Sequence, residues 1–283
     1  MFIKIALPLV LAFIMFSLGL GLKKSDFTRI LKFPKAFAVG LLNQVILLPV
    51  IALILALLVG LSPEFAVGLI ILALCPGGVT SNVLTRIAGG NTPLSISLTA
   101  VTSLLSIITV PLLVAFAVRH FMGESAPPVD VTQLGFIMFC ITAVPVALGM
   151  IITSKAPALT DRIAPFISRA AIVLFIIIIA GALAKNWTVF ITNLPTLGPV
   201  LVILNITLLA IGLGSAKLLK LEKSDASTIA IESGIQNGTL AITVGALIAV
   251  SASEVLPPTT VPAAVYSITM YFVSIPFVLW RRK

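Results

Sequence analysis

Glu232-Ser233-Gly234-Ile235-Gln236-Asn237 interrupts an apolar stretch running from about Ala226 to Val250. Of the nine acidic residues, only Glu232 falls in the middle of such a stretch. A carboxylate near mid-bilayer costs at least about 3 kcal/mol unless it is paired, solvated or protonated. Gly234 and the carboxamides of Gln236 and Asn237 also make a poor straight lipid-facing helix, because they loosen the backbone and need hydrogen-bond partners. The stretch predicts a broken membrane helix around which the chain gathers cations.

Composition agrees with a membrane setting. The 283 residues are 59% apolar and 10% charged, with a mean hydropathy of +1.23. Soluble domains carry roughly 25% charged residues. The expected class is an all-α polytopic membrane protein. Near-continuous apolar runs of about 20 residues exclude a β-barrel, whose strands alternate over about 10. Cys75 and Cys140 both fall in apolar spans and are expected to be buried small hydrophobes. No soluble domain fits in the short loops, so residues 1–283 form one membrane domain.

Nine spans can be drawn, at about 2–22, 35–59, 65–85, 92–118, 131–153, 164–184, 196–219, 226–250 and 258–280. The first resembles a signal peptide in length. It lacks an A-x-A-like cleavage site and runs directly into Lys23-Lys24, so a retained helix is expected. Fifteen of the 18 basic residues fall on one set of loops and ends: Lys23, Lys24, Arg29, Lys32, Lys35, Arg86, Lys155, Arg162, Arg169, Lys217, Lys220, Lys223, Arg281, Arg282 and Lys283. Lys4, Arg119 and Lys185 fall on the other. This asymmetry predicts a multi-pass protein of a plasma (cytoplasmic or inner) membrane, bacterial or organellar, with the N-terminus outside and the C-terminus in the cytoplasm. The net charge of +9 is thereby a topology signal, and no nucleic-acid partner is expected. Lys23 to Phe33 predicts a short interfacial helix, N-capped by Ser25-Asp26, with Phe27, Ile30 and Leu31 on its apolar face.

A second interruption lies in the third span, at Cys75-Pro76-Gly77-Gly78-Val79-Thr80-Ser81-Asn82. The two broken spans are five apart and so run in opposite directions. Each is followed by a span with an apolar-flanked proline, Pro111 and Pro276. Spans 1–4 therefore pair with 6–9 as an inverted repeat, the arrangement of transporters with a midplane site. A structural kink is the plain alternative for Pro76, Gly77 and Gly78 taken alone. The second break, at Gly234, turns the reading toward a pair of discontinuous helices.

Broken helices offer carbonyls to cations and half-helix N-termini to anions. Glu232 and Gln236 are one turn apart. Ser81 and Asn82 supply oxygens from the third span, and Ser95, Thr99, Thr102 and Ser106 form a hydroxyl stripe on the fourth. Back-bonded hydroxyls in helix packing are the alternative for that stripe. Asn43 and Gln44 need partners within the second span, Asn205 being one candidate. Hard oxygen donors with a single carboxylate suit Na⁺ better than Ca²⁺, which usually gathers several.

Pro76-Gly77-Gly78-Val79-Thr80-Ser81-Asn82-Val83, Glu232-Ser233-Gly234-Ile235-Gln236-Asn237, and Met15-Phe16-Ser17-Leu18-Gly19-Leu20 followed by Ser25-Asp26-Phe27 together resemble the bile acid:sodium symporter family over essentially the whole chain. The likeness is to its nine-helix members. It implies a core domain (about 35–118 and 196–280), a panel domain (about 2–22 and 131–184), and broken spans 3 and 8 crossing in the core. It implies one sodium site from Ser81, Asn82, Ser95, Thr99 and Glu232. A second would use Gln44, Glu232, Gln236 and the carbonyls of Ser233 and Ile235. Asn237 matches the family's substrate-facing position, with Thr80, Val79 and Tyr266 as further cavity candidates.

The expected function is sodium-coupled symport of an organic anion, bile-acid-like or a small keto or hydroxy acid. Na⁺ is the coupling ion, and no cofactor is expected. A proton- or sodium/proton-coupled carrier of the same architecture is the alternative. A non-transporting receptor or scaffold is a remote one. An intramembrane enzyme would need paired Asp, a Ser with Lys or His, or a zinc set, and no Asp lies at mid-span.

Overall fold

The computed structural model describes residues 2–28, 34–185, 187–248 and 257–282. Of the sequence-based expectations, Arg29, Ile30, Leu31, Lys32 and Phe33, the end of the eighth span at 249–250, and Lys283 lie outside the described residues. Among those described, all regular elements are helical. Six helices are long and apolar enough to cross a membrane. They are Pro34–Val59, Thr92–Met122 (α7), Val131–Lys155, Pro157–Ala184 (within α10), Trp187–Leu218 (α11) and Pro258–Arg282. A seventh candidate is a pair bent by 62°, α5 (Pro63–Leu74) with α6 (Val79–Ile87). Nine were expected. The other two expected spans correspond to α1 (Phe2–Leu20) and to α12 (Lys223–Gly234) with α13 (Gly238–Leu247), which are not among these candidates.

Two of the long helices contain a widened turn. In the first, α3 (Pro34–Leu42) passes through Asn43–Leu47 into α4 (Leu48–Val59). The Leu48 N–H there bonds Asn43 O, a five-residue step. In the second, α8 (Val131–Met138) passes through Phe139–Ala143 into α9 (Val144–Lys155), and the Val144 N–H bonds Phe139 O. Each turn lies just before a proline, Pro49 or Pro145. A proline ring collides with the carbonyl four residues back, and one inserted residue relieves that collision. In the second span the insertion also turns two adjacent side chains, Asn43 and Gln44, into the protein, leaving them 1% and 5% exposed.

The short helix α2 spans Lys24–Thr28. It starts before Ser25, so Ser25-Asp26 is not its N-cap. Asp26 instead reaches back from the first turn to accept the Lys23 N–H at 2.8 Å, the return half of a capping box. Cys75 is buried as expected, but Cys140, within the second widened turn, is exposed.

Helices α1, α9 and α10 (Pro157–Lys185) pack together, while α11 packs along α12 and α14 (Val261–Arg282) and α5 along α7. The α1–α9 crossing depends on two glycines. A Cβ on Gly149 would lie 2.6 Å from the Leu20 nitrogen, and one on Gly19 would lie 2.8 Å from Val146 Cα. Both neighbours are backbone, which cannot rotate away. Without water to drive association, membrane helices depend on such close approach. Gly149→Ala is therefore expected to destabilise the protein by about 1–3 kcal/mol through overpacking. Thermal unfolding in detergent checks this, and an unchanged midpoint would refute the tight crossing.

Candidate functional site

The two breaks meet back to back. Helix α5 ends at Leu74, Cys75 is extended, and α6 starts at Val79. Helix α12 ends at Gly234, Ile235 is extended, and Asn237 caps α13 by accepting the Leu240 N–H on Oδ1 at 3.0 Å. The Asn237 N–H donates to Pro76 O at 2.7 Å, joining one break to the other through backbone. Gly77 is needed for the close approach. A Cβ there would lie 2.8 Å from Glu232 Oε2 and 2.9 Å from Ser81 Oγ. Pro76 and Gly78 complete the first break, Gly78 being extended rather than left-handed.

Glu232 is fully buried. Ser95 Oγ is 2.5 Å from Glu232 Oε1, and the Thr99 hydroxyl donates to Oε2 at 2.9 Å. Ser95 Oγ is also 2.7 Å from Asn82 Oδ1. A serine has one hydrogen to donate, yet here it faces two acceptors. The Ser81 hydroxyl lies within hydrogen-bonding reach of both Gly78 O, at 2.8 Å, and the Glu232 carboxylate. Oxygens from Ser81, Asn82, Ser95 and Thr99 thus gather around the one carboxylate of Glu232. Helix α7 achieves this because Ser95 and Thr99, four apart, share a face. The rest of the stripe does something else. Thr102 bonds back to Leu98 O at 2.7 Å and Ser106 to Ser103 O at 2.8 Å.

On the other side of the α12 break, Gln44 Nε2 donates to Glu232 O at 2.6 Å and Gln236 Nε2 to Ser233 O at 2.8 Å. Gln236 Oε1 is buried without a partner. Ile235 is fully enclosed. Gln44, Glu232, Ser233 and Gln236 are therefore linked in one network. Asn43 bonds Ser215 Oγ at 2.9 Å, not Asn205.

Asn205 and Tyr266 have a role that sequence did not assign. Asn205 Nδ2 and the Tyr266 hydroxyl both donate to Gly234 O, at 2.5 and 2.9 Å. They satisfy a carbonyl that the break leaves free. Tyr266, expected as a cavity residue, is completely buried and is not among the residues lining the cavity beside the crossover. Asn205 was visible as a carboxamide in an apolar span, but its partner was not.

That cavity, about 50 Å³, lies between the crossover and helices α1 and α10. Val79, Thr80, Asn237, Thr239, Ser17 and Ser168 line it, with Ile14, Met15 and Phe175 among its apolar walls. The Thr80 hydroxyl is shared with Tyr271.

The Sodium Bile acid symporter family model matches residues 8–193, a stretch that holds the first break and ends before Glu232. The chain is 30% identical over 271 residues to the uncharacterized sodium-dependent transporter YocS of Bacillus subtilis, covering 93% of this chain and 78% of that protein. It is 28% identical over 274 residues to the probable chloroplastic sodium/metabolite cotransporter BASS1 of Arabidopsis thaliana, covering 95% and 65% respectively. Against the human ileal sodium/bile acid cotransporter it is 27% identical over 240 residues, covering 84% and 68%.

Proposed function

Since the chain belongs to the sodium bile acid symporter family, whose members are transporters rather than enzymes, we propose that it is a symporter carrying an organic anion with Na⁺ by alternating access. The supporting observation is the buried cluster of side-chain oxygens gathered on Glu232. Its hard donors and single carboxylate fit Na⁺. One Na⁺ is held by Ser81, Asn82, Ser95, Thr99 and Glu232. A second is held by Gln44, Glu232, Gln236 and the carbonyls of Ser233 and Ile235. The unpartnered Gln236 Oε1 supports the second site.

The chain crosses the membrane nine times as an inverted repeat, with α1 and the α12–α13 pair completing the count. Spans at about 35–118 and 196–280 form the core, and those at about 2–22 and 131–184 form the panel. The N-terminus is outside and the C-terminus is in the cytoplasm, as the basic residues dictate. Two Na⁺ neutralise Glu232 and order the half-helix N-termini, and the anion binds there against Asn237 and backbone N–H groups. The core then rocks against the panel. The substrate is a bile-acid-like anion or a small keto or hydroxy acid.

Thermal unfolding in NaCl against KCl at equal ionic strength tests the ion sites. Na⁺ alone is expected to raise the midpoint. Uptake into proteoliposomes tests coupling. With two Na⁺ per monovalent anion, one net positive charge enters per cycle, so an inside-negative potential accelerates uptake. Uptake indifferent to potential rules out that stoichiometry. Uptake driven by a pH gradient alone in sodium-free buffer overturns sodium coupling in favour of a proton-coupled carrier.

A further inference from the structure

Thr239 stands second in α13, 1% exposed, and its Oγ1 has no hydrogen-bond partner. Threonines in helices usually satisfy the hydroxyl on the carbonyl four residues back. Thr243 does so on Thr239 O at 2.8 Å. Thr239 has no such carbonyl beneath it, because the residue four back is Ile235, which is extended in the break. An unpartnered buried hydroxyl calls for an explanation, and Thr239 lines the cavity.

Across that cavity, Ser17 of α1 and Ser168 of α10 face each other with oxygens 3.2 Å apart. Ser17 is 4% exposed. Two hydroxyls share one hydrogen between them and leave the other free to donate. Ile14, Met15 and Phe175 make the surrounding wall apolar. Asn237 Oδ1 is committed to its own helix, which leaves its amide hydrogens for a carboxylate.

Resting on the sodium-coupled anion reading, we propose that Thr239 and the Ser17–Ser168 pair form a second polar subsite. It takes a hydroxyl or keto oxygen borne close to the carboxylate of a short acid with an apolar skeleton. The two breaks hold the carboxylate, and this subsite distinguishes an oxygenated acid from its deoxy analogue. None of its three residues belongs to either sodium site.

The test uses the full chain in detergent with saturating Na⁺ and three probes titrated calorimetrically: 2-hydroxy-3-methylbutanoate, 2-keto-3-methylbutanoate and 3-methylbutanoate. The oxygenated acids are expected to bind about tenfold tighter than the deoxy acid, the order of one hydrogen bond made well. Thr239→Val and the double variant S17A/S168A each bring that ratio to about twofold or less, and Thr239→Ser restores it. Failure of all three acids to bind, equal binding of the three by the wild type, or a ratio unchanged in both variants overturns the proposal. The Na⁺-induced melting shift without any acid is measured on every protein, and it confirms that the variants are folded. A sodium shift with no preference among the acids sinks the subsite alone. A preference without any sodium shift sinks sodium coupling and leaves the subsite standing.

Discussion

Replacing Glu232 with alanine removes sodium stabilisation and lowers sodium-stimulated uptake by about 100-fold or more. The carboxylate is the only charge in the oxygen cluster, and both proposed ion sites share it. Removing one member of a buried charged pair typically costs about 3–5 kcal/mol, and each 1.4 kcal/mol is about tenfold in binding. Two readouts check the result: the melting shift on adding NaCl, and uptake in sodium against potassium. Glu232→Gln keeps the shape and most of the hydrogen bonding, so it folds more securely while losing the same sodium response. Unchanged sodium dependence in both variants would remove Glu232 from the site.

Gly77→Ala has the second large effect. The new methyl would lie 2.8 Å from Glu232 Oε2, an oxygen already fixed by Thr99. Overpacking of this kind costs about 1–3 kcal/mol. Here the strain falls on a proposed sodium ligand, so sodium affinity is expected to fall roughly tenfold to 100-fold. The neighbouring Gly78 is the control. A Cβ there meets nothing within 4 Å, and its φ of −141° suits any residue. Gly78→Ala should leave sodium affinity within about twofold of the wild type. Equal effects at the two positions would mean that the first break needs its glycines for general flexibility rather than for contact with the carboxylate.

Both breaks were legible in sequence because glycine, proline and a lone carboxylate are conspicuous in apolar runs. So was the pairing of Ser95 and Thr99, since a helical period of 3.6 puts them on one face. What a period cannot convey is which helix that face meets. Asn43 and Asn205 were both visible as carboxamides in need of partners, yet Asn43 found Ser215 and Asn205 found Gly234. Tyr266 shows the same limit: an amphipathic side chain suits a cavity wall or a buried brace, and the packing of α14 on α12 puts its hydroxyl on Gly234 O. Cys140 is exposed on a widened turn; Pro145 was in view in the sequence, but the insertion before it and the side it turns outward were not. The span count shows a different limit. Helices α12 and α13 are short, and between them they carry Glu232, Gln236 and Asn237 in an otherwise apolar stretch, so neither stands out as an ordinary membrane helix.

If Gln44 serves the proposed ion site, the widened turn at Asn43–Leu47 makes chain length itself a determinant of ion binding. Each residue of an α-helix advances about 100° around the axis. Deleting one residue after Gln44, such as Ile46, would leave every proposed sodium ligand in the chain. It would nonetheless remove the inserted residue, close the turn to an ordinary α-helical step and bring the Pro49 ring back against the carbonyl four residues before it. Asn43 and Gln44 would then lose the local geometry that turns both side chains inward, and Gln44 its bond to the Glu232 carbonyl. A point-mutation scan of the ligands would miss this dependence, whereas a scan of single-residue deletions and insertions would find it.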